Sequence, residues 1–295
     1  MGASGHAVMM DLMGLRVLPD RGNPPNLSCM ENLLQSLIAY KTILVAGWIV
    51  AFFILERIFP AAASPLTEVD RRNRLLRNGA LFGTNTILSI AIVVPISAWA
   101  ATSAPDWRST IAPWWQGPFG ILLDLLVLDC LIYWWHRLNH VVPFLWRFHE
   151  IHHLDETLDT TTAVRFHWGE VLLSACARAV LILTLDIPIE SVLIFEMQVL
   201  LAAIFAHSNL RLPAGLERAL GWVVITPAIH WVHHHAIRRD TDSNYGNLFS
   251  FWDRIFGSFS PNRRRLDMKI GVERETERPF AALFLRPFRH IVDQK

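Results

Sequence analysis

Residues 117–153 read GPFGILLDLLVLDCLIYWWHRLNHVVPFLWRFHEIHH, an apolar stretch that ends in a run of histidines. About 20 apolar residues in a helix cover the hydrocarbon core of a bilayer, so residues 117–135 predict a transmembrane helix. His136 and His140 follow directly, and their spacing of four places both imidazoles on one helix face. This stretch predicts a membrane protein with a histidine-rich site at the membrane surface.

The overall composition agrees with a membrane protein. The chain has 295 residues, of which 52% are apolar and only 18% charged, which is too apolar for an ordinary soluble domain. The formal net charge is +1, so no overall field attracts nucleic acid and no nucleic-acid partner is expected. Three widely spaced cysteines, Cys29, Cys130 and Cys176, predict neither a disulfide framework nor a cysteine metal site.

The hydropathy pattern predicts five membrane crossings. The last two come from one long apolar stretch, which is broken at Asp186-Ile187-Pro188 and therefore reads as two antiparallel helices. The expected fold is an all-α integral membrane protein with about five transmembrane helices and a cytosolic histidine-rich helical cap. The apolar stretches are residues 37–59, 80–101, 117–135 and 171–207.

Basic residues in the connections predict the orientation, because cytoplasmic loops collect lysine and arginine. The 60–78 connection carries four arginines, the 102–116 connection carries only Arg108, and the 186–190 turn carries none. This alternation predicts that residues 60–78, 136–170 and those after about 207 are cytoplasmic. The histidine-rich site would then face the cytoplasm, in the inner membrane if the protein is bacterial.

The sequence also suggests three regions. Residues 1–36 are expected to be a short or disordered leader, and Met30 is an alternative start. Residues 37–260 form the predicted membrane domain, and residues 261–295 a basic cytosolic tail. The apolar segment 213–229 is too short to span and contains Pro213 and Pro227, which favours an interfacial or re-entrant piece.

Eleven of the 13 histidines lie between residues 136 and 235. A single histidine in such a setting is usually a core or interfacial residue. Packing so many imidazoles together without a metal would leave many donors and acceptors unpaired, each at a cost of about 1–3 kcal/mol. A structural zinc needs only four ligands, so the number of imidazoles implies two ions. The candidate ligands are His136, His140, His149, His152, His153, His207, His230, His233 and His234.

Several motifs around these histidines resemble those of the fatty acid hydroxylase/sterol desaturase superfamily. The resemblance covers about residues 40–260 and implies a helical membrane enzyme with two non-haem irons held by the histidines above. It also implies O2 as co-substrate, a lipid as the molecule that is hydroxylated or desaturated, and a separate electron donor such as a reductase with a ferredoxin or cytochrome. The matching residues are Asp129-x-x-x-Tyr133-x-x-His136-Arg137-x-x-His140, Leu145-Trp146-Arg147-Phe148-His149-x-x-His152-His153-x-Asp155, Thr161-Thr162-Ala163-x-Arg165-Phe166-His167, His207-Ser208-Asn209, Pro227-x-x-His230-x-x-His233-His234, Asp242-x-Asn244-Tyr245-Gly246 and Trp252-Asp253-Arg254-x-Phe256-Gly257.

Carboxylates and amides near the histidines are candidates to orient them, because a ligating imidazole usually donates its other N–H to an oxygen. Asp129 lies two helical turns before His136, and an aspartate within a membrane span is by default a functional hypothesis. His167 is a possible tenth ligand or orienting group, although Trp168 stands where many relatives have proline. Further candidates are Asp155, Glu170, Asn209 and Asn244, whereas Glu196 has no partner that the sequence suggests.

Two other function classes remain open from the sequence. The run His149-Glu150-x-x-His153 matches the H-E-x-x-H pattern of zinc hydrolases, in which Glu150 would be the general base. A non-enzymatic metal or haem carrier is the third reading. The hydrolase pattern involves only two or three of the clustered histidines and leaves the others without a role.

Overall fold

The computed structural model describes residues 25–289, and side chains from residue 35 onward. Residues 1–34 of the expected leader, with the alternative start at Met30, lie outside the side chains that it describes, and residues 25–36 form the start of the first helix. The chain divides into two compact units, Met1–Leu37 and Ile38–Lys295. The contacts reported below all lie within the second unit.

Between residues 25 and 289 the chain is helical, with three isolated β-bridges and no β-strand. A five-residue π-helical segment, Ser89–Val93, joins the second and third helices, and a short 3₁₀ turn spans Thr162–Val164. The α-helices are α1 Pro25–Ile58, α2 Glu68–Leu88, α3 Val94–Ser103, α4 Arg108–Ile111, α5 Gly117–Val141, α6 Pro143–His153, α7 Trp168–Leu185, α8 Ile189–His207, α9 Ala214–Leu220, α10 Pro227–His233, α11 Arg238–Thr241, α12 Phe251–Ile255 and α13 Phe280–Arg289.

Five helical segments in the described part of the chain are long and apolar enough to cross a membrane, which confirms the predicted number. The second segment is longer than expected because α2 and α3 run on through the π-helical turn as one 36-residue span, Glu68–Ser103. The break between α7 and α8 is where the sequence predicts it. Asp186 ends α7 with a φ of 52°, and Pro188 caps the start of α8.

The outer faces of these segments are apolar and exposed. Ile87 and Ile90 are 71% and 70% exposed, and Ile43 is 68% exposed. Leaving such side chains in water would cost about 1.5–3 kcal/mol each compared with burial. A hydrocarbon surrounding removes this cost, and the chain is therefore an integral membrane protein.

The helix ends sort into two sides, as the charge pattern predicts. On one side the end of α1 meets the residues after α8, where Arg211 N–H donates to Phe59 O at 2.9 Å and Ala61 N–H donates to Asn209 O at 2.9 Å. The start of α2, the end of α5 and the start of α7 are on this side too, since each contacts α6 or the segment after it. All of the candidate histidine ligands lie on this side.

The opposite side is closed by a polar network around Arg108 in α4. Its guanidinium donates to Leu185 O at 2.6 Å and pairs with Asp124 at 2.8 Å. Asp124 also accepts hydrogen bonds from Trp115 Nε1 at 2.9 Å and Ser191 Oγ at 2.7 Å. These contacts tie the starts of α5 and α8 to the end of α7, so the far ends of three spans are held together.

The segment between α6 and α7 is fastened to α2 by Arg74. Its guanidinium binds Asp155 through Nε at 2.6 Å and Nη2 at 2.8 Å, and binds Asp159 through Nη1 at 2.6 Å. The side chain of Arg74 is only 4% exposed and that of Asp155 is fully buried. This ion pair is therefore shielded from water, and its loss would leave an uncompensated buried charge.

The substitution Arg74→Met tests the importance of this pair. We expect it to lower the free energy of unfolding by about 3–5 kcal/mol, because the buried carboxylate of Asp155 and the half-buried carboxylate of Asp159 lose their partner. The matched control is Arg71→Met, which removes an exposed pair with Glu68 and should cost about 1 kcal/mol or less. Thermal unfolding of the detergent-purified variants measures both effects. Equal shifts in the two variants would contradict this assignment.

Candidate metal centre

The structure brings all nine candidate histidines into two groups on one side of the spans, and all of them are buried except His136, which is half-buried. Within each group the ligand nitrogens lie within 4.8 Å of one another. Histidine group A consists of His136, His140, His149, His153 and His233, and histidine group B consists of His152, His207, His230 and His234.

Two short helices supply histidines to both groups. In α6, His149 and His153 are four residues apart and share the face that points to group A, while His152 points to group B. In α10, His233 points to group A and its neighbours at positions 230 and 234 point to group B. Adjacent residues in a helix are rotated by about 100°, so His152 and His153 diverge. The two groups consequently lie next to each other, with the rings of His153 and His234 stacked at 4.4 Å.

In both groups, Nδ1 of several imidazole rings is hydrogen-bonded to an oxygen atom. In group A, His136 Nδ1 faces Tyr245 O at 2.8 Å, and His233 Nδ1 faces Ser243 O at 2.7 Å. In group B, His207 Nδ1 faces Ala203 O at 2.8 Å and His152 Nδ1 faces Arg165 O at 3.1 Å. A carbonyl oxygen only accepts, so the proton of each of these neutral rings is on Nδ1. The lone pair on Nε2 therefore points into the group.

Nε2 lone pairs of neighbouring histidines face one another with no proton between them. His152 Nε2 and His207 Nε2 are 3.0 Å apart, although both are acceptors in the tautomers that their carbonyl partners select. In group A, Nε2 of His136, His140 and His233 is buried and has no hydrogen-bond partner in the described structure. Two acceptors in contact repel each other, and a cation between them would replace this repulsion by attraction. The donor set therefore fits a metal ion in each group.

The spacing of the nitrogens agrees with one ion in group B. The contacts that His207 and His234 make with other Nε2 atoms of the group lie between 2.9 and 3.2 Å. Imidazole nitrogens about 2.1 Å from one ion are roughly 3.0 Å apart at right angles and roughly 3.4 Å apart at tetrahedral angles. In group A, His149 Nε2 and His153 Nε2 are 3.2 Å apart.

Burial keeps the histidines outside the spans neutral, as metal ligation requires. Loss of hydration lowers the pKa of His152, His153, His230 and His234 well below the ordinary value. It lowers the pKa of His233 to about 3. Neighbouring histidines add to the effect, since a second positive charge nearby disfavours protonation.

Of the residues expected to orient the histidines, Asp129 is placed elsewhere. Its carboxylate accepts hydrogen bonds from Trp252 Nε1 at 2.9 Å and Gln198 Nε2 at 3.3 Å, whereas His136 uses a backbone carbonyl. Two helical turns separate Asp129 from His136 by about 10 Å along the axis, which a short side chain does not bridge. The hydrogen bonds of Asp129 therefore go to Gln198 and to the segment around α12, and none of them goes to a candidate ligand.

Asp155, His167 and Asn209 do not contact the nine histidines through their side chains. Asp155 belongs to the Arg74 network. His167 caps α7 by accepting from Gly169 N–H at 3.0 Å, and its Nε2 faces Phe284 O at 3.0 Å. Asn209 holds the backbone of Ala62 through both amide atoms. In this structure, each of these residues is hydrogen-bonded to backbone atoms or to a charged partner and not to a candidate ligand.

Two carboxylates, those of Glu170 and Asp242, lie beside Nδ1 of candidate ligands. Glu170 Oε1 lies 2.8 Å from His149 Nδ1 and also accepts from Asn139 Nδ2 at 3.2 Å. The sequence shows Glu170 only as a weak candidate. Asp242, which lies 3.3 Å from His140 Nδ1, is missed by the sequence reasoning although it stands in a quoted motif. Asn244 instead adopts a φ of 54° and accepts from Ser260 N–H at 2.9 Å, so it supports a turn.

Glu150 points away from the histidines that flank it in sequence. Its two carboxylate oxygens receive Arg286 Nε at 2.8 Å and Arg286 Nη2 at 3.0 Å. A general base must reach the water that a metal activates. A carboxylate held in a bidentate ion pair by α13 does not have this geometry, which counts against the zinc-hydrolase reading.

Comparisons with known proteins agree with the motifs. Residues 121–258 match the fatty acid hydroxylase family. The chain is 26% identical over 210 residues to ornithine lipid hydroxylase OlsE of Rhizobium tropici, which covers 71% of this chain and 60% of that protein. It is 31% identical over 178 residues to alkylglycerol monooxygenase of Xenopus tropicalis, covering 56% of this chain and 36% of that protein. A cholesterol 25-hydroxylase-like protein of Danio rerio is 27% identical over 221 residues, which is 70% of this chain and 85% of that protein.

The chain thus spans 60% of the first of these relatives and about a third of the second. No solved structure matches this chain.

The lowered histidine pKa values predict a pH dependence for the metal-stripped protein. An unfolded histidine binds a proton as the pH falls below about 6.5, whereas these buried histidines stay neutral. The unfolded state then holds more protons, so stability is greatest above pH 6.5 and falls by about 1.4 kcal/mol per pH unit for each such histidine. Melting temperatures of chelator-treated protein from pH 7.5 to pH 5 measure this decline. In His153→Gln the decline should be less steep, and a flat profile in the wild type would contradict the prediction.

Proposed function

We propose that this protein, whose residues 121–258 match the fatty acid hydroxylase family, is a membrane-bound oxygenase that uses two non-haem irons and O2 to hydroxylate a lipid. The observation that carries this proposal is the convergence of unprotonated Nε2 atoms in two adjacent buried groups. Imidazole nitrogens suit zinc, copper, iron and nickel, and the match to the fatty acid hydroxylase family favours iron among them. When bound, two irons would supply the O2 chemistry that attacks a C–H bond.

The residues of this chain have three tasks in such a reaction. Histidine groups A and B would hold one iron each. Glu170 and the carbonyls of Tyr245 and Ser243 keep the protons of their histidines on Nδ1, which directs Nε2 to the iron and strengthens it as a donor. The near-complete burial of both groups keeps bulk water away from the site, and this favours attack on substrate over side reactions.

The names of the relatives favour hydroxylation over desaturation and a lipid as substrate. Their named substrates are an ornithine lipid, alkylglycerols and cholesterol, which differ in headgroup but are all hydrophobic. The same residues would serve either reaction, since both begin with removal of a hydrogen from carbon. We propose hydroxylation of a membrane lipid as the activity of this chain.

The reaction needs electrons, and we propose that a separate donor such as a reductase with a ferredoxin or cytochrome delivers them. The sequence contains no Rossmann fingerprint, haem-attachment motif or ferredoxin-type cysteine set.

The basic connection at residues 60–78 supports a cytoplasmic location for the histidine groups, in the inner membrane if the protein is bacterial. The proposed catalytic domain is residues 37–260, and residues 261–295 form a proposed basic tail.

Iron content is the first test. We expect about two irons per chain in detergent-purified protein, and Mössbauer spectra of iron-57-grown protein should show a coupled pair, because groups A and B are adjacent. His152→Ala removes one ligand of group B and should lose the coupled signal. His235→Ala is the matched control, since His235 is bound to Asp240 at 2.7 Å and belongs to neither group. One tightly held zinc and no iron after growth in iron-replete medium would contradict the oxygenase proposal.

Glu150→Gln separates the oxygenase from a zinc hydrolase. An oxygenase should retain most of its O2-dependent turnover, because Glu150 faces Arg286 rather than the histidines. A hydrolase of the H-E-x-x-H type should lose all activity with its general base. Arg286→Met removes the same ion pair from the other side and is the control for stability. Hydrolytic activity that is lost in Glu150→Gln but retained in Arg286→Met, without any O2-dependent turnover in the wild type, would support the hydrolase.

A metal or haem carrier is distinguished by turnover. A carrier should load metal without O2-dependent turnover of any lipid. The carboxylate and carbonyl partners fix the orientation of the histidines. A carrier must release its metal, whereas histidines fixed in this way favour a metal that stays bound for catalysis.

A further inference from the structure

Residues 245–258, which include α12, run down along α5 and back again, and we call them the α12 segment. The carbonyl oxygen of its first residue lies 2.8 Å from His136 Nδ1. Halfway along, Trp252 Nε1 donates a hydrogen bond to Asp129 at 2.9 Å. The hydroxyl group of its last residue lies 2.7 Å from that of Tyr133. Asp129 is seven residues before His136, so the α12 segment reaches about 10 Å deeper along α5 than the point at which it starts.

The lowest part of the α12 segment lies at the level of the middle of α8. This helix has 19 residues and a length of about 28 Å, which is close to the thickness of the hydrocarbon core, about 30 Å. Its middle residue, Gln198, donates to Asp129 at 3.3 Å, and the carbonyl of Val199 accepts from Asn247 Nδ2 at 3.4 Å. The α12 segment therefore reaches a depth at which α8 is inside the bilayer.

Backbone groups at this depth must have hydrogen-bond partners within the protein. Residues 221–225 run antiparallel beside the α12 segment and supply several of these partners. Ile225 N–H donates to Leu248 O at 2.8 Å, and Ser250 N–H donates to Val223 O at 2.9 Å. The two pieces of chain satisfy each other as paired strands do, and their backbone is therefore suited to an apolar surrounding.

The charged side chains of the α12 segment are Asp253 and Arg254, and both are bound within the protein. Asp253 is fully buried and accepts from two backbone N–H groups at the start of the segment, at 2.7 and 2.9 Å. Arg254 donates to Gly221 O at 2.8 Å, and its guanidinium lies 5.0 Å from the ring centroid of Trp222. Residues 221–225 contain no charged side chain. The charges are therefore satisfied before any contact with the surroundings is made.

The outer face of these two pieces of chain is apolar and exposed. Trp222, Val223 and Ile255 are 66%, 51% and 63% exposed. The same surface continues onto α5, because Phe256 contacts Trp134 with ring centroids 4.9 Å apart. Trp134 is itself 41% exposed and belongs to a membrane-spanning helix. The exposed apolar face is therefore continuous with a surface that the bilayer covers.

We propose that residues 221–225 and the α12 segment are inserted in the bilayer, in the leaflet on the side of the histidine groups, with Trp222, Val223 and Ile255 in contact with lipid acyl chains. Depth, internal pairing of polar groups and continuity with α5 all favour lipid as the occupant of this face. A soluble protein partner would have to enter the hydrocarbon beside α5 to cover it. Insertion does not depend on the proposed oxygenase activity.

Insertion of the α12 segment accounts for an aspartate in the middle of a membrane helix, where a carboxylate is costly. Asp129 holds the lowest part of the segment, and the first residue of the segment holds His136 of histidine group A. The chain that enters the bilayer thus also supports a candidate metal ligand.

A fluorophore at position 255 measures whether this face contacts lipid or water. Ile255→Cys is labelled with nitrobenzoxadiazole in a chain whose own cysteines, Cys29, Cys130 and Cys176, are replaced by alanine. The full-length protein with its bound metal is reconstituted into phosphatidylcholine vesicles. We expect brominated phosphatidylcholine to quench this label as strongly as one at Ile90→Cys, a 70% exposed position in a membrane span. Iodide in the water should quench neither label.

Leu266→Cys is the matched control. Leu266 is 65% exposed, as Ile255 is to 63%, but its neighbours Arg265 and Asp267 form an exposed ion pair. Iodide should quench this label, and brominated lipid should not. A label at position 255 that behaves like the one at position 266 would overturn the inference. Quenching by neither reagent would show that a second copy or another protein covers the face, and this would overturn it as well.

Two further variants keep the test decisive if the label at position 255 disturbs folding, which melting temperature and metal content report. Val223→Cys places the same label on the other piece of chain and should give the same result. Ile255→Asp, in a chain that keeps its cysteines, should lower the melting temperature in vesicles, because a carboxylate facing lipid loses its hydration. Leu266→Asp should cause no shift. Equal melting temperatures of Ile255→Asp and Leu266→Asp would contradict insertion.

Discussion

One constraint governs the arrangement of the helices that carry the histidines. Imidazole lone pairs face one another at short distance, and they repel each other unless a cation lies between them. His152 Nε2 and His207 Nε2 are held 3.0 Å apart while carbonyl oxygens keep their protons on the opposite nitrogens. Unfavourable contacts of this kind persist only when the surrounding structure imposes them. The backbone around α6, α8 and α10 is therefore arranged for a cation, and the rest of the cap can be understood as its support.

The contacts that support the histidine groups extend into the membrane helices. Glu170 connects His149 to the start of α7, and Arg74 connects α2 to the segment that follows α6. The opposite ends of the spans are tied independently through Arg108 and Asp124. A bilayer supplies no net hydrophobic drive for helices to associate with one another, so packing and polar contacts at both ends must hold the bundle together.

Predictions from local spacing succeeded where the residues lie on one helix. His136 and His140, or His149 and His153, share a face because of their interval of four, and the structure brings each pair into one group. Spacing alone did not indicate the partners of Asp129, which lies seven residues before His136 and accepts a hydrogen bond from Trp252. Glu170 was only a weak candidate because it lies 21 residues after its partner His149, and the turn that joins them folds back over the histidines.

Hydropathy and loop charge depend on composition and local order, so the sequence by itself determined the all-α membrane fold, the five crossings and the identity of the clustered histidines. Only the tertiary structure decided how nine histidines divide into two groups, since this depends on which faces of α6 and α10 turn toward α5 and α8. It also decided that Glu150 pairs with Arg286 and that Glu196 lies between Lys41 and Arg178. Glu150 and Arg286 are 136 residues apart and Lys41 and Glu196 are 155 residues apart, and only the packing of helices brings such distant residues together.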